Sequence, residues 1–167
     1  MRPVPRVSGL IAAIAVALLP VGAWAQAGQV AFGKTQADRG LPVEVTSDNL
    51  SVNQADNTAT FTGNVVIGQG EMRLAAPRVL VVYLSDRSGI ESLEATGGVT
   101  LVSGEDAAEA ERADYNISTG LIELRGNVLL VQGTSAIAGE TVLVDTAAGT
   151  AQVSGRVKTI LQPGTTP

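Results

Sequence analysis

The sequence predicts an all-β fold made of repeated two-strand layers, and three observations carry that expectation. The first is composition. Of the 167 residues 45% are hydrophobic, mostly Val, Leu, Ile and Ala, only 3% are aromatic, and 19 glycines punctuate the chain. That mixture favours many short strands and turns over a helical bundle. The second is a Gly-x-Val step that recurs at Gly63-Asn64-Val65, Gly97-Gly98-Val99, Gly126-Asn127-Val128 and Gly155-Arg156-Val157, at intervals of 34, 29 and 29 residues. The third is a period of two around every copy, with apolar residues on one face and polar residues on the other, as a half-buried strand requires.

The elements follow in chain order. Arg2 and Arg6 give a positive start, and LIAAIAVALLPVGAWA then carries no charge. Pro20 and Gly22 break the apolar run, and Ala23-Trp24-Ala25 suits signal peptidase, so residues 1–25 are expected to be a signal peptide cleaved before Gln26. The competing reading is an uncleaved anchor, since Val7 to Ala25 is just long enough to cross a bilayer. Residues 26–40 are rich in Gly, Ala and Gln without a sustained period, and are expected to be a flexible leader or a first strand. From 41 to 162 the period of two holds, and 163–167 forms a short tail.

In the first full glycine strand Ala59, Phe61, Gly63, Val65 and Ile67 share one face, against Thr58, Thr60, Thr62 and Asn64. The second copy groups Leu93, Ala95, Gly97, Val99 and Leu101. The third groups Ile122, Leu124, Gly126, Val128 and Leu130, and the fourth Val153, Gly155 and Val157. Between them run strands whose inward pairs are Val79 and Val81, Ala113 and Tyr115, and Val142 and Val144, with Leu50 and Val52 in an incomplete first unit. The longer interval places five extra residues around Leu84 to Gly89, a polar connection where insertions disturb no pairing. A glycine on the apolar face permits a bulge, a bend or close approach of another backbone, so the repeated step is expected where each layer bends. Alternatively, glycine simply fills a crowded spot between facing sheets.

Stacked layers with one apolar face make a β-sandwich, jelly roll or β-solenoid, and each leaves unpaired strands at its two ends. The last strand, QVSGRVKTIL, is expected to lack a cap and to offer an edge for another copy or a partner domain.

Chemistry is sparse. The chain has no histidine or cysteine, which removes Ser-His-Asp and Cys-His catalysis and nearly every zinc site. No catalytic residue, metal or cofactor is expected. Glu105, Asp106, Glu109 and Glu111 form an acidic patch read as a solvated loop. The formal charge is −5, and −7 without Arg2 and Arg6, with no basic run, so nucleic acid is not an expected partner. Arg78 and Arg112 hold matching repeat positions and are candidates to meet an anionic group; the plainer reading is ordinary outward charge.

The run Val43-Glu44-Val45-Thr46-Ser47-Asp48-Asn49-Leu50-Ser51-Val52, followed by Ala59 to Val65, resembles the OstA-like domain of lipopolysaccharide-transport proteins. Ala95 to Leu101, Ala113-Asp114-Tyr115 and Leu124 to Val128 are similar to its internal repeats, and the resemblance spans roughly Val43 to Leu161. Chain size and the cleavable leader make it most like the soluble periplasmic bridging member. That resemblance implies a curled β-jelly roll with open ends, located in the periplasm, that holds lipopolysaccharide acyl chains in an apolar groove and is not an enzyme. It implies head-to-tail stacking with itself and with the OstA-like domains of the inner- and outer-membrane components, in outer-membrane assembly. The groove candidates are Phe61, Val65, Ile67, Val79, Val81, Val99, Leu101, Tyr115, Leu124, Val128, Leu130, Val142, Val144, Val153 and Val157, with Arg78 and Arg112 for the head group. A ligand-free β-solenoid that polymerises through its terminal strands is the alternative; a carbohydrate-processing β-helix would need more coils and a carboxylate cluster.

Overall fold

The computed structural model describes residues 29–33 and 40–161; the expected signal peptide and the C-terminal tail lie outside the described residues. Every regular element among them is a strand. In chain order these are β1 (Gln29–Ala31), β2 (Glu44–Thr46), β3 (Asn49–Asn53), β4 (Thr58–Gln69), β5 (Met72–Tyr83), β6 (Ile90–Ser103), β7 (Asp106–Asn116), β8 (Leu121–Gln132), β9 (Ser135–Asp145), β10 (Thr150–Ser154) and β11 (Lys158–Ile160). They form one antiparallel sheet in the order β1-β10-β9-β8-β7-β6-β5-β4-β2, with β3 also on β4 and β11 also on β9. The long connection Leu84 to Gly89 joins β5 to β6, as its polar composition predicts.

A line of bulges divides the sheet into two arms. The pairing register shifts between Thr62 and Val65, between Thr96 and Val99, and between Arg125 and Val128. At each shift the Gly-x step adopts two successive positive φ angles, +83° and +47° at Gly126 and Asn127 for instance. A one-residue insertion of this kind kinks the strand and increases local twist. At both ends of the sheet the line is a break between short strands: β2 and β3 pair with separate halves of β4, and β10 and β11 with separate halves of β9.

The bulge also corrects the expected direction of its glycine. A Cβ on Gly126 would meet the exposed Glu111 side chain, its Oε2 at 2.5 Å and its Cβ at 2.8 Å. Asp48, Pro77 and Glu140 crowd Gly63, Gly97 and Gly155 in the same way. The missing side chain therefore points outward, because positive φ turns the Cα substituent away from the face that alternation assigns it. The crowding comes from one outer neighbour and not from a facing sheet. Asn64 and Asn127 close two of these contacts, donating from Nδ2 to Asp48 Oδ2 at 2.9 Å and to Glu111 Oε1 at 2.6 Å, and Arg156 donates to Glu140. The one copy without a carboxylate, at Pro77, has Gly98 in place of the donor.

The slip in alternation falls on the partner strand. Inward residues on β5 are Leu74 and Ala76, then Val79 and Val81; on β7 they are Ala108 and Ala110, then Ala113 and Tyr115. Of the acidic stretch read as a loop, Glu105 lies in the turn while Asp106, Glu109 and Glu111 belong to the start of β7, with Ala108 and Ala110 buried and Glu109 and Glu111 outward. Alternating alanine and glutamate already has a strand's period, and the small side chains fit a tight interior.

The C-terminal edge is also not bare. β1 pairs with β10 as Gln29↔Gln152, Val30↔Ala151 and Ala31↔Thr150, so the expected leader contains a strand that caps the first half of this edge. β11 pairs β9.

Candidate functional site

Among the described residues the inner face of the sheet is an extended apolar surface that the repeats build. Rows of paired residues cross it. In the arm that holds β3 and β10, Leu50↔Phe61↔Val79↔Ala95↔Ala113↔Leu124↔Val142↔Val153 runs from end to end. In the other arm, Val45↔Ile67↔Leu74↔Leu101↔Ala108↔Leu130↔Ile137 runs from β2 to β9, and Thr159 of β11 pairs Ile137 at its end.

The two arms face each other. On a flat sheet Tyr115 would lie level with Ala59 and three strands from β4, since Tyr115 pairs Leu93, Leu93 pairs Val81 and Val81 pairs Ala59. Gln69 would then lie roughly 33 Å further along β4, at ~3.3 Å per residue, and ~14 Å across at ~4.8 Å per strand. Yet Tyr115 donates its hydroxyl to Gln69 Oε1 at 2.9 Å, and both residues are buried. The sheet is folded into a V, with the bulges at its crease and the strand ends at its mouth.

Of the groove candidates, Val65, Ile67, Val79, Val81, Val99, Leu101, Tyr115, Leu124, Val128, Leu130, Val142, Val144 and Val153 are all buried between the arms. Phe61 is partly buried beside the outermost strand β3. Val157 follows the last Gly-x step, in the break between β10 and β11, and is 51% exposed, since no strand among the described residues covers it. The opposite end is similar: Leu50 and Val52 pair with inward Phe61 and Ala59, yet are 56% and 61% exposed. The apolar interior is packed by its own side chains in the middle and surfaces at both ends.

The mouth is where sequence reasoning gave no signal. Its lip on the β2/β11 arm is a row that is polar except at Met72: Gln69 pairs Met72, Met72 pairs Ser103, Ser103 pairs Asp106, and Asp106 pairs Gln132. Gln69 donates to the Leu41 carbonyl at 3.1 Å while accepting from Tyr115. Asp106 Oδ2 accepts the Gly33 N–H at 2.7 Å, and Gln132 donates to the Ala31 carbonyl. Between Ala31 and Gly33, Phe32 is 1% exposed and belongs to the core. The alternating pattern of each strand ends at these residues, so nothing in the repeat distinguishes them from ordinary turn-flanking polar side chains.

Arg78 and Arg112 stand on the outer face, in the cross-strand row Thr62↔Arg78↔Thr96↔Arg112↔Arg125↔Thr141 beside the crease. Arg78 is exposed. Arg112 belongs to a charge ladder: its Nη2 lies 3.0 Å from Asp114 and 3.1 Å from Glu94, and Arg125 bonds Glu123 at 2.6 Å. The hydrogen bond to Asp114 is the main reason the Arg112 pKa is raised, and the hydrogen bond to Glu123 does the same for Arg125.

Comparison with known proteins agrees with this geometry. Residues 44–150 match the family described as LptA/(LptD N-terminal domain) LPS transport protein. The lipopolysaccharide export system protein LptA of Haemophilus influenzae is 31% identical over 137 residues, 75% of this chain and 80% of that protein. LptA of Escherichia coli K12 is 30% identical over 118 residues, 67% of this chain and 63% of that protein, so the match spans a little under two thirds of the relative's length. An uncharacterized protein of Rhizobium meliloti is 30% identical over 164 residues, 92% of this chain and 88% of its own. The fold is similar to the crystal structure of LptH, the LptA-homologous periplasmic component of the lipopolysaccharide transport device of Pseudomonas aeruginosa. The TM-score is 0.68 at 19% identity, covering 75% of this chain and 99% of that one.

Proposed function

The chain belongs to the LptA/LptD N-terminal-domain family of lipopolysaccharide transport proteins, and from that premise we propose that it is a periplasmic carrier whose folded sheet shelters lipopolysaccharide acyl chains. The observation that carries the reading is the inner face, apolar across one arm from β3 to β10, with apolar residues exposed toward its ends at Leu50 and Val52 and again at Val157. Leaving an acyl chain in water costs ~0.8 kcal/mol per methylene, and an apolar channel removes most of that cost. Burial is non-directional, so a chain can slide along Val, Leu and Ile without breaking hydrogen bonds in register. The sugar and phosphate head group stays in water. The protein supplies no energy for direction, which must come from another component.

Stacking end to end would join successive channels. The free strand edges of β2 and β3 at one end, and the part of the β10–β11 edge beyond β1 at the other, are the surfaces such stacking would use. The partners are further copies of this chain and the related domains of the membrane-embedded components.

A second reading, a ligand-free filament, draws on the packed middle of the interior. Mass spectrometry of the purified, exported chain separates the two. Co-purifying acylated glycolipid in amounts comparable to the protein supports the carrier. Protein that is folded, self-associating and free of lipid supports the filament.

A further inference from the structure

Three features of the mouth combine. The lip of one arm is polar where the rest of the inner face is apolar, and Gln69, Asp106 and Gln132 of that lip each hold a partner outside their own arm's strands. One of those partners, Tyr115, comes from the facing arm. Two more, Gly33 and Ala31, come from the chain around Phe32, which enters along β10 of the facing arm and crosses to Asp106, and the last, Leu41, lies just ahead of β2. Ser103, also on the lip, is 1% exposed, and its hydroxyl has no hydrogen-bond partner among the described residues. A buried hydroxyl without a partner is a cost that only the closed arrangement bears, because opening would hydrate it.

We propose that these contacts are a clasp: the Tyr115–Gln69 hydrogen bond, together with Phe32 and the Gly33–Asp106 bond, holds the two arms shut, and an acyl chain enters sideways by releasing it. The proposal rests on the carrier reading and deepens it by naming the gate. Among the described residues the hydrogen bonds across the mouth are Tyr115 to Gln69, Gly33 to Asp106 and Gln132 to Ala31. β1 adds three paired positions at the sheet's end, Phe32 donates its N–H to the Gly149 carbonyl at 2.9 Å, and the Phe32 ring fills space that the repeats leave empty. A ring that follows a three-residue strand can be displaced without disturbing any pairing among the eight strands from β3 to β10. An acyl chain arriving there replaces one apolar filling with another, so displacement loses little burial. The polar lip would then lie at the water boundary, where Ser103 regains a partner.

Two alterations test this in opposite directions, with the full chain. Tyr115→Phe combined with Asp106→Ala keeps the ring in the core and removes two of the cross-mouth hydrogen bonds, leaving the one from Gln132 to Ala31. Ala31→Cys with Thr150→Cys places a disulfide across a directly paired, outward position of β1 and β10, in a chain with no other cysteine. Hydrogen–deuterium exchange reads opening without any lipid, and uptake of a fluorescent fatty acid reads entry. The double variant should exchange the amides of β1 and of the β4–β5, β6–β7 and β8–β9 turns at least roughly fivefold faster, as loss of two ordinary hydrogen bonds predicts. The oxidised disulfide form should take up the fatty acid at least about fivefold more slowly than the wild type, with uptake restored by reductant. Unchanged exchange in the double variant, or unchanged uptake in the oxidised form beside a wild type that does take up the probe, overturns the clasp. Faster exchange with no uptake by any form upholds the clasp as a structural latch and counts against the carrier reading instead.

Discussion

Substituting alanine at Gly126 tests whether the bulge line, and not merely turn propensity, shapes the sheet. Gly126 has φ +83°, and a Cβ there would stand 2.5 Å from Glu111 Oε2 and 2.8 Å from Glu111 Cβ and Cδ. The backbone term costs about 1–2 kcal/mol for a residue with a side chain in the left-handed region. Relieving the contact adds about 1–3 kcal/mol, as overpacking does elsewhere, because the Glu111 Cβ cannot rotate away. Reduced freedom of the unfolded chain returns about 0.4–1 kcal/mol. The net is a loss of ~3 kcal/mol. Gly133, in the β8–β9 turn, has φ +54° and open space where a Cβ would stand, with nothing within 4 Å, so Gly133→Ala should cost only ~1 kcal/mol. In urea, with a slope near 2 kcal/mol/M, the midpoint should fall by roughly 1.5 M for Gly126→Ala and by roughly 0.5 M for Gly133→Ala. Equal shifts for the two variants would refute the reasoning, since they share positive φ and differ in the Glu111 contact.

Other expectations concern the interior, the outer face and one loop. Val128→Asp buries a lone carboxylate where exposure is 1% and should unfold the domain, whereas Val157→Asp, at 51% exposure, should change stability by less than ~0.5 kcal/mol while abolishing lipid co-purification. Circular dichroism and mass spectrometry on the same preparations distinguish these outcomes. Arg112→Ala should cost less than ~1 kcal/mol, because its ladder is solvent-exposed and screened, and should leave lipid co-purification intact. The raised Arg112 pKa stabilises the fold below the unfolded arginine value and is lost only as pH rises through the folded one, so a denaturation series from neutral to mildly alkaline pH should show no Arg112-dependent slope. Asp86 behaves in the opposite sense. The Ser88 hydroxyl and N–H donate to it and hold its pKa below the ordinary aspartate value, so its contribution is present above that value and fades as pH falls through the folded one. An NMR titration should place its midpoint below that of Asp86 in the unfolded chain.

Much of this fold was legible because the repeat writes the same constraint several times. Leu93, Leu101, Ile122, Leu124, Leu130 and Val142 are found inward by alternation alone, since a period of two admits only two faces. The insertion at Leu84 to Gly89 was readable for the same reason. The direction of the bulge glycine was not: alternation counts residues and has no access to the sign of φ. Nor was the slip from Ala76 to Val79, where Pro77 and Arg78 fall side by side on the outer edge of the crease. The cap that β1 places on β10 joins positions more than a hundred residues apart through three pairs, too few to leave a periodic trace. The lip residues escaped notice because their role depends on the fold-over of the arms. Tyr115 and Gln69 meet only after the V has closed.

The most direct test of the carrier is a photo-crosslinking aromatic amino acid in place of Phe61, with Thr60 as control, in cells making lipopolysaccharide. Phe61 faces inward near the β3 end and already accommodates a ring, while Thr60, its neighbour on β4, faces out. The account predicts a lipopolysaccharide adduct from position 61 and none from position 60. Adducts of equal yield from both positions, or none from position 61 in folded and exported protein, would contradict it.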